Sequence, residues 1–271
     1  MAAVPTPDMR RIGLIGLIGY GAAGRSCARL LAAETDCRVM VLTRRPPVDG
    51  IAERVAFAAD LDALIAWKPD AIIEAASAEA FAEMVPHCLD SGIDVVPASV
   101  GALQSPEMAA RIHAICKRSG ARLIIPAGAV GGLDYIAAAA LTGDIAVTYT
   151  SRKPPAAWAG ELAALDLAET ARTEPVTLFE GSAPEAAKLY PKNLNAGLTI
   201  ALAAGFERTR VRVVADPRVT RNTHEIAITG AAGDALLRFE NRASPDNPKT
   251  SAITALSLVA TALRRYAPVG T

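Results

Sequence analysis

Cysteine is scarce and shows no pairing pattern. There are four, Cys27, Cys37, Cys88 and Cys116, with no CxxC and no histidine at ligand spacing. This argues against a disulfide framework and a structural zinc, so no metal is expected, and it fits a reducing, cytoplasmic setting. An excess of either charge is also missing: Lys plus Arg is 28 and Asp plus Glu is 28. A general nucleic-acid or anionic-membrane binder would need a basic surplus, so neither partner is expected. Long apolar runs are absent too. Arg10 and Arg11 precede thirteen uncharged residues, Ile12 to Gly24, which superficially resemble a secretory signal. A membrane span needs about 20 apolar residues. Five glycines in that run also make a poor signal helix, at roughly 1 kcal/mol each against alanine. Internal repeats and low-complexity tracts are lacking as well.

What remains is a chain of 271 residues, 51% apolar and 21% charged. That is enough to bury a sizeable core in one large domain or two modest ones. In the first half, short apolar segments alternate with helical ones. Strands are expected at 11–18, 38–42, 71–74, 93–97 and 122–125, and helices at 22–33, 60–67, 78–91 and 106–119. Strands without polar alternation, separated by helices, indicate βαβ units and a parallel sheet covered on both faces. After Pro126 the pattern changes. Alternating runs at 145–152, 208–215, 223–229 and 235–241 imply a mixed or antiparallel sheet with one polar face. Helices are expected at 133–142, 182–189, 195–204 and 248–265. The expected fold is therefore α/β: a Rossmann-type, doubly wound parallel sheet, then an α+β domain with a mixed or antiparallel sheet. The boundaries are read as 1–130 and 131–247, with the helix of about 248–271 packing back on the first domain.

Gly19-Tyr20-Gly21-Ala22-Ala23-Gly24 is G-x-G-x-x-G between a strand and a helix. The first glycine allows the tight turn, the second lets backbone approach a pyrophosphate, and the third permits close helix–strand packing. The helix start adds unpaired N–H groups and partial positive charge. An NAD-specific site usually has Asp or Glu at the end of its second strand, on the ribose hydroxyl. Here that position reads Thr43-Arg44-Arg45. Arginine forks onto a 2′-phosphate, so NADP is favoured, with NAD also possible in principle.

Four segments in the second half carry chemistry. Pro126 to Asp134 follows the last parallel strand, where open α/β folds bind ligands, and its glycines allow approach to a nicotinamide ring. Tyr190-Pro191-Lys192-Asn193-Leu194-Asn195 supplies a cation and two amides. Asn222-Thr223-His224 supplies an imidazole whose ordinary pKa of about 6.5 suits proton transfer. His224 shares strand parity with Ile226 and Ile228, so an inward, core-facing position is the competing reading. Asn247-Pro248-Lys249-Thr250-Ser251 reads as a helix start with Asn247 as N-cap and Pro248 at the first position, an anion site. Lys192, Asn193, Lys249, Thr250 and Ser251 are the candidate substrate contacts.

These segments, with Ile73-Glu74-Ala75-Ala76-Ser77 and Ser99-Val100-Gly101-Ala102-Leu103, together resemble the L-aspartate dehydrogenase family over nearly the whole chain. The resemblance implies oxidative deamination of L-aspartate with NAD or NADP, giving iminosuccinate or oxaloacetate and ammonia, or the reverse. In some members the iminosuccinate feeds pyridine nucleotide biosynthesis. It also implies a homodimer, His224 as the catalytic histidine, and Ala76, Ser77, Ala129 and Asn195 (in preference to Asn193) among the cofactor contacts. The alternatives are a homoserine-dehydrogenase-like or other amino-acid oxidoreductase, and a non-catalytic NADP-binding sensor.

Overall fold

The computed structural model describes residues 13–33, 37–45, 53–190, 195–244 and 247–266, with the side chains of Asn247, Pro248, Lys249 and Arg265 outside that description. The chain divides into two compact units. The first comprises residues 1–126 and 255–271, the second residues 127–254.

The first unit runs β1 (Gly13–Ile18), α1 (Ala22–Ala33), β2 (Cys37–Leu42), β3 (Val55–Ala58), α2 (Leu61–Ala66), β4 (Ala71–Glu74), α3 (Ala78–Asp90), β5 (Asp94–Pro97) and α4 (Pro106–Ser119). Its five strands lie in the order β3-β2-β1-β4-β5, all parallel. The order reverses beside β1, which is the switch point where such sheets bind ligands. Helix boundaries follow local chemistry. Asp60, Ser77 and Ser105 cap α2, α3 and α4 through their side chains, and Pro106 opens α4. Gly120 closes α4 in the left-handed region, at φ 76°. The expected strand at 122–125 does not form; only an isolated bridge joins Leu123 to Val95. Arg122 instead turns back, its N–H and guanidinium both donating to Asp94.

The second unit runs α5 (Leu133–Ala140), β6 (Ala146–Lys153), α6 (Ala159–Ala164), β7 (Val176–Ser182), α7 (Ala183–Leu189), α8 (Asn195–Ala204), β8 (Thr209–Ala215), β9 (Asn222–Thr229), β10 (Ala235–Asn241), β11 (Ala243–Ser244) and β12 (Asn247–Ser251). Five strands form a mixed sheet, β10-β9-β6-β8-β7, in which only β6 and β8 run parallel. One face is apolar along most of its length. Val147, Tyr149, Val211, Val213, Ile226 and Ile228 are buried there, and α8 packs on it closely enough that a Cβ on Gly197 would lie 3.2 Å from Tyr149. The opposite face carries ion pairs: Arg152 to Glu225 at 2.6 Å and to Asp216 at 3.2 Å, and Arg238 to Glu225 at 2.7 Å. The edge strands β3 and β7, the two-residue β11 and the short α6 are additions to the expected set.

A second expectation is overturned at Asn247. Asn247 to Ser251 is not a helix start but strand β12, paired antiparallel with β11. The helix begins only at Ile253, as α9 (Ile253–Leu263). Proline's fixed φ suits an edge strand as well as a helix first turn. Asn-Pro-Lys-Thr-Ser offers no apolar helical stripe, and that stripe starts at Ile253. The chain then re-enters the first unit. Ala255, Leu258, Val259 and Ala262 of α9 pack with Cys27, Ala28 and Leu31 of α1 and with Val39 and Val41 of β2. The other side of that sheet is filled from α2, α3 and α4, by Leu64, Phe81, Val85, Leu89, Ile112 and Ile115. The sheet is therefore doubly wound. Among the described residues no helix is long and apolar enough to cross a membrane.

Candidate active site

In the first unit the glycine turn separates two kinds of demand. Gly19 sits at φ 97°, and a Cβ there would lie 2.7 Å from the Ala75 carbonyl oxygen and 2.8 Å from the Ala76 Cβ. A Cβ on Gly24 would collide with the Gly19 carbonyl. The protein's own packing thus requires both. Gly21 differs: no atom of the described residues lies within 4 Å of where its Cβ would be. None of them demands glycine there, whereas a pyrophosphate approaching the backbone would. Helix α1 opens immediately after, with Arg25 N–H donating to Gly21 at 2.9 Å. The N–H groups of Ala22, Ala23 and Gly24 precede that first bond, at the positive end of the helix. These residues fit a dinucleotide phosphate.

The neighbouring residues frame that turn. Gly19 N–H donates to Leu42 O at 2.9 Å, tying the turn to the end of β2. Tyr20 meets Phe57 of β3 edge-on, at 5.4 Å between ring centres. Arg44 and Arg45 follow β2 as exposed side chains. Ser77 caps α3, accepting from Ala80 N–H at 3.2 Å, so this candidate cofactor contact also has a structural task. Glu74 was not singled out from sequence as a site residue. It is fully buried at the end of β4, where it accepts from Ala76 N–H, Ser99 N–H and Ser99 Oγ at 2.8, 3.0 and 2.9 Å. Burial raises its pKa against the lowering pull of those hydrogen bonds. It fastens the ends of β4 and β5 at the carboxyl edge of the sheet. An acid closing an otherwise apolar strand was the available signal.

In the second unit the structure gathers several candidates at one end of the mixed sheet. Asn241 Nδ2 donates to Ala129 O at 2.7 Å, which anchors the glycine-rich segment after Pro126 to the end of β10. Gly131 of that segment packs on Phe239, and Phe239 is the register partner of His224. Ala129 and His224 are thus brought to adjacent strands' ends. His224 is 5% exposed. It shares its face with Ile226 and Ile228, as parity suggested, but its end of that face is polar. Ser151 of β6 is its direct register partner, with Tyr149 and Lys153 on the same side of β6. Tyr149 Oη and His224 Nδ1 are 2.7 Å apart. His224 Nε2 has no hydrogen-bond partner among the described residues.

This environment changes the expected acidity. Desolvation, then the positive charge of Lys153, pull the His224 pKa down to about 4. The expectation of an imidazole titrating near neutrality is corrected: alone in the protein it is neutral at pH 7. Burial pushes the Tyr149 hydroxyl the other way, well above the usual phenol range, so it too stays neutral. The pair can share only one proton in their mutual hydrogen bond. If Nδ1–H donates to Tyr149 Oη, Nε2 is left with its lone pair and can accept a proton.

The remaining candidates are less gathered. Asn195 is the first, exposed residue of α8. Lys192 and Asn193 lie outside the described residues, as does the Lys249 side chain. Thr250 and Ser251 keep their hydroxyls but stand on a strand, without the helix N-terminus that would have made them an anion site. Tyr149, Ser151 and Lys153 were missed, because only strand pairing across some 70 residues sets them beside His224. No group of three or more His, Cys, Asp or Glu among the described residues could hold a metal ion.

Comparisons with known proteins agree with this division. Residues 134–265 match the family model described as aspartate dehydrogenase, C-terminal. Residues 19–126 match that described as homoserine dehydrogenase, NAD binding domain. The chain is 43% identical over 260 residues to L-aspartate dehydrogenase 2 of Bordetella bronchiseptica, covering 93% of this chain and 97% of that one. It is 44% identical over 205 residues to L-aspartate dehydrogenase of Methanosarcina barkeri, covering 74% and 75%. Among solved structures it is similar to aspartate dehydrogenase from Thermotoga maritima, with a TM-score of 0.72, 25% identity, and 94% and 95% coverage. A parallel sheet carrying the dinucleotide glycine turn, followed by a mixed sheet that matches the family's own C-terminal model, places the chain in the aspartate dehydrogenase family.

Proposed function

We propose that this chain is an NAD(P)-dependent L-aspartate dehydrogenase, converting L-aspartate to iminosuccinate, and with water to oxaloacetate and ammonia, or running the reverse reductive amination. The observation that carries the reading is His224: buried, held at Nδ1 by Tyr149, and unpartnered at Nε2 among the described residues. A histidine placed only for packing would not leave one ring nitrogen desolvated and unsatisfied.

The residues share the work as follows. The Gly19–Gly24 turn and the start of α1 hold the pyrophosphate, and Ala76, Ser77, Ala129 and Asn195 are further cofactor contacts. When bound, the cofactor supplies one piece of chemistry, acceptance of a hydride from Cα. The amine nitrogen loses a proton in the same conversion, which leaves the imine. Water then adds at Cα, and ammonia departs to give the ketone. His224 Nε2 takes the proton from the amine or from that water. The negative charge of the diacid offsets Lys153 and raises the imidazole's affinity for the proton in the complex. Lys192 and Asn193 remain proposed substrate contacts. Arg44 and Arg45 favour NADP through its 2′-phosphate. A homodimer working in the cytoplasm belongs to the same reading, and light scattering of the purified chain tests the dimer.

The decisive assay follows reduced nicotinamide absorbance with L-aspartate and a panel of other amino acids, with NAD and with NADP. Reduction dependent on L-aspartate is the expected result. Tight NADP binding with no amino-acid-dependent reduction would overturn the enzymatic reading in favour of a sensor.

A further inference from the structure

Buried polar side-chain atoms normally find hydrogen-bond partners. In the second unit, besides Arg212 Nε, which lies 3.2 Å from Glu180 on the opposite face of the sheet, Trp158 Nε1 and His224 Nε2 have none among the described residues, in side chains no more than 5% exposed, and the fully buried Ser151 Oγ has only the Tyr149 hydroxyl beside it. They are not scattered. Ser151 and His224 are register partners on β6 and β9. Lys153 lies two residues along β6 on the same face, 6% exposed, and its Nζ sits 5.2 Å from the centre of the Trp158 ring. Trp158 is itself fixed from behind by Tyr190, edge-on at 5.6 Å.

Apart from the imidazole nitrogen, every member of this set can donate. A serine hydroxyl and an indole N–H are hydrogen-bond donors, and an ammonium brings a full positive charge with further donors. Carboxylates on the opposite face of the sheet, Glu225 and Asp216, are engaged with Arg152. Donors and a cation gathered in a desolvated place match an anion with several acceptor oxygens. We propose that Ser151, Lys153 and Trp158 form a carboxylate-binding subsite beside His224, which takes one carboxylate of the dicarboxylic substrate and so sets Cα next to the imidazole. The inference rests on the L-aspartate reading for the identity of the substrate. It moves the principal substrate cation from Lys192 and Lys249 to Lys153.

The test uses succinate, a dicarboxylate that has no amine to oxidise, as a binding probe for the full chain, alongside steady-state kinetics with L-aspartate. The variants are Lys153→Met, Ser151→Ala and Trp158→Phe, the last keeping the aromatic body and removing only the N–H. Loss of a charge-assisted hydrogen bond corresponds to about 10- to 100-fold in affinity. Lys153→Met is expected to raise the succinate Kd and the KM for L-aspartate by that factor, with KM for the dinucleotide unchanged. Ser151→Ala and Trp158→Phe are expected to give smaller rises of both. An unchanged succinate Kd in a folded Lys153→Met overturns the subsite, leaving Lys153 a packing partner of Trp158. If Lys153→Met fails to fold, unchanged Kd in both other variants overturns it equally. Absence of succinate binding by the unaltered chain also overturns it. Succinate binding that depends on Lys153 in a chain inactive on L-aspartate would instead sink the dehydrogenase reading and leave the subsite standing.

Discussion

Protonation of His224 should be visible in stability before any substrate is added. The perturbation is acid, read against the variant His224→Gln. In the folded chain the imidazole's pKa is drawn down to about 4, from an ordinary value of 6.5. Above pH 6.5 the group is neutral in both folded and unfolded chains and contributes no pH dependence. As pH falls below 6.5 the unfolded chain takes up a proton that the folded chain refuses, so unfolding is favoured. Below pH 4 both forms are protonated and the loss levels off. Each pKa unit is worth 1.36 kcal/mol, so the stability lost through this group is about 2 kcal/mol at pH 5 and about 3 kcal/mol near pH 4. Urea unfolding followed by tryptophan fluorescence in a Trp67→Phe background, which leaves the buried Trp158 as the reporter, follows this unit. The difference in unfolding free energy between the unaltered chain and His224→Gln should shrink by those amounts between pH 7.5 and pH 4. Parallel pH profiles would refute the claim that His224 is desolvated and neutral.

Three further outcomes follow from the same geometry. Gly21→Ala should weaken dinucleotide binding with little change in thermal stability, because its new methyl meets no atom of the described residues, whereas Gly24→Ala should destabilise the fold by driving a methyl into the Gly19 carbonyl; calorimetric titration beside thermal melts separates the two. His224→Ala should lower turnover by about 10²–10⁴-fold, the usual contribution of a positioned proton acceptor, with dinucleotide affinity unchanged in the same titration. Arg44→Ala should shift the ratio of kcat/KM values away from NADP and towards NAD; an unchanged ratio removes Arg44 from cofactor selection.

Much of the first unit was legible because each element carries its own signal. Strand β4 is four consecutive buried residues, and α4 has a capping serine at its start and a left-handed glycine at its end. Strand β3 was missed because it is only four residues of partly exposed chain at the sheet edge. Strand β7 was missed because a register shift between Thr177 and Phe179 breaks its alternation. At Asn247-Pro248 the local signal was present but ambiguous, since proline suits both a helix first turn and an edge strand. In the site, the glycine turn and the parity of His224 could be read from spacing. The partners of His224 could not, because Tyr149, Ser151 and Lys153 gain their meaning only when β6 pairs with β9. Polar residues standing on the apolar parity of β6 were the available hint.

The interleaving of the two units along the chain has a consequence for how the protein is made. Helix α9 fills one side of the parallel sheet, yet it is separated from the rest of that sheet by the whole mixed-sheet unit. During synthesis the nucleotide-binding half therefore emerges first with an apolar flank uncovered along Leu31, Val39 and Val41, and must wait for Ala255, Leu258 and Val259 to close it. A nonsense codon just before Ala255 would leave the histidine-bearing half with all its strands and strip the other half of part of its core.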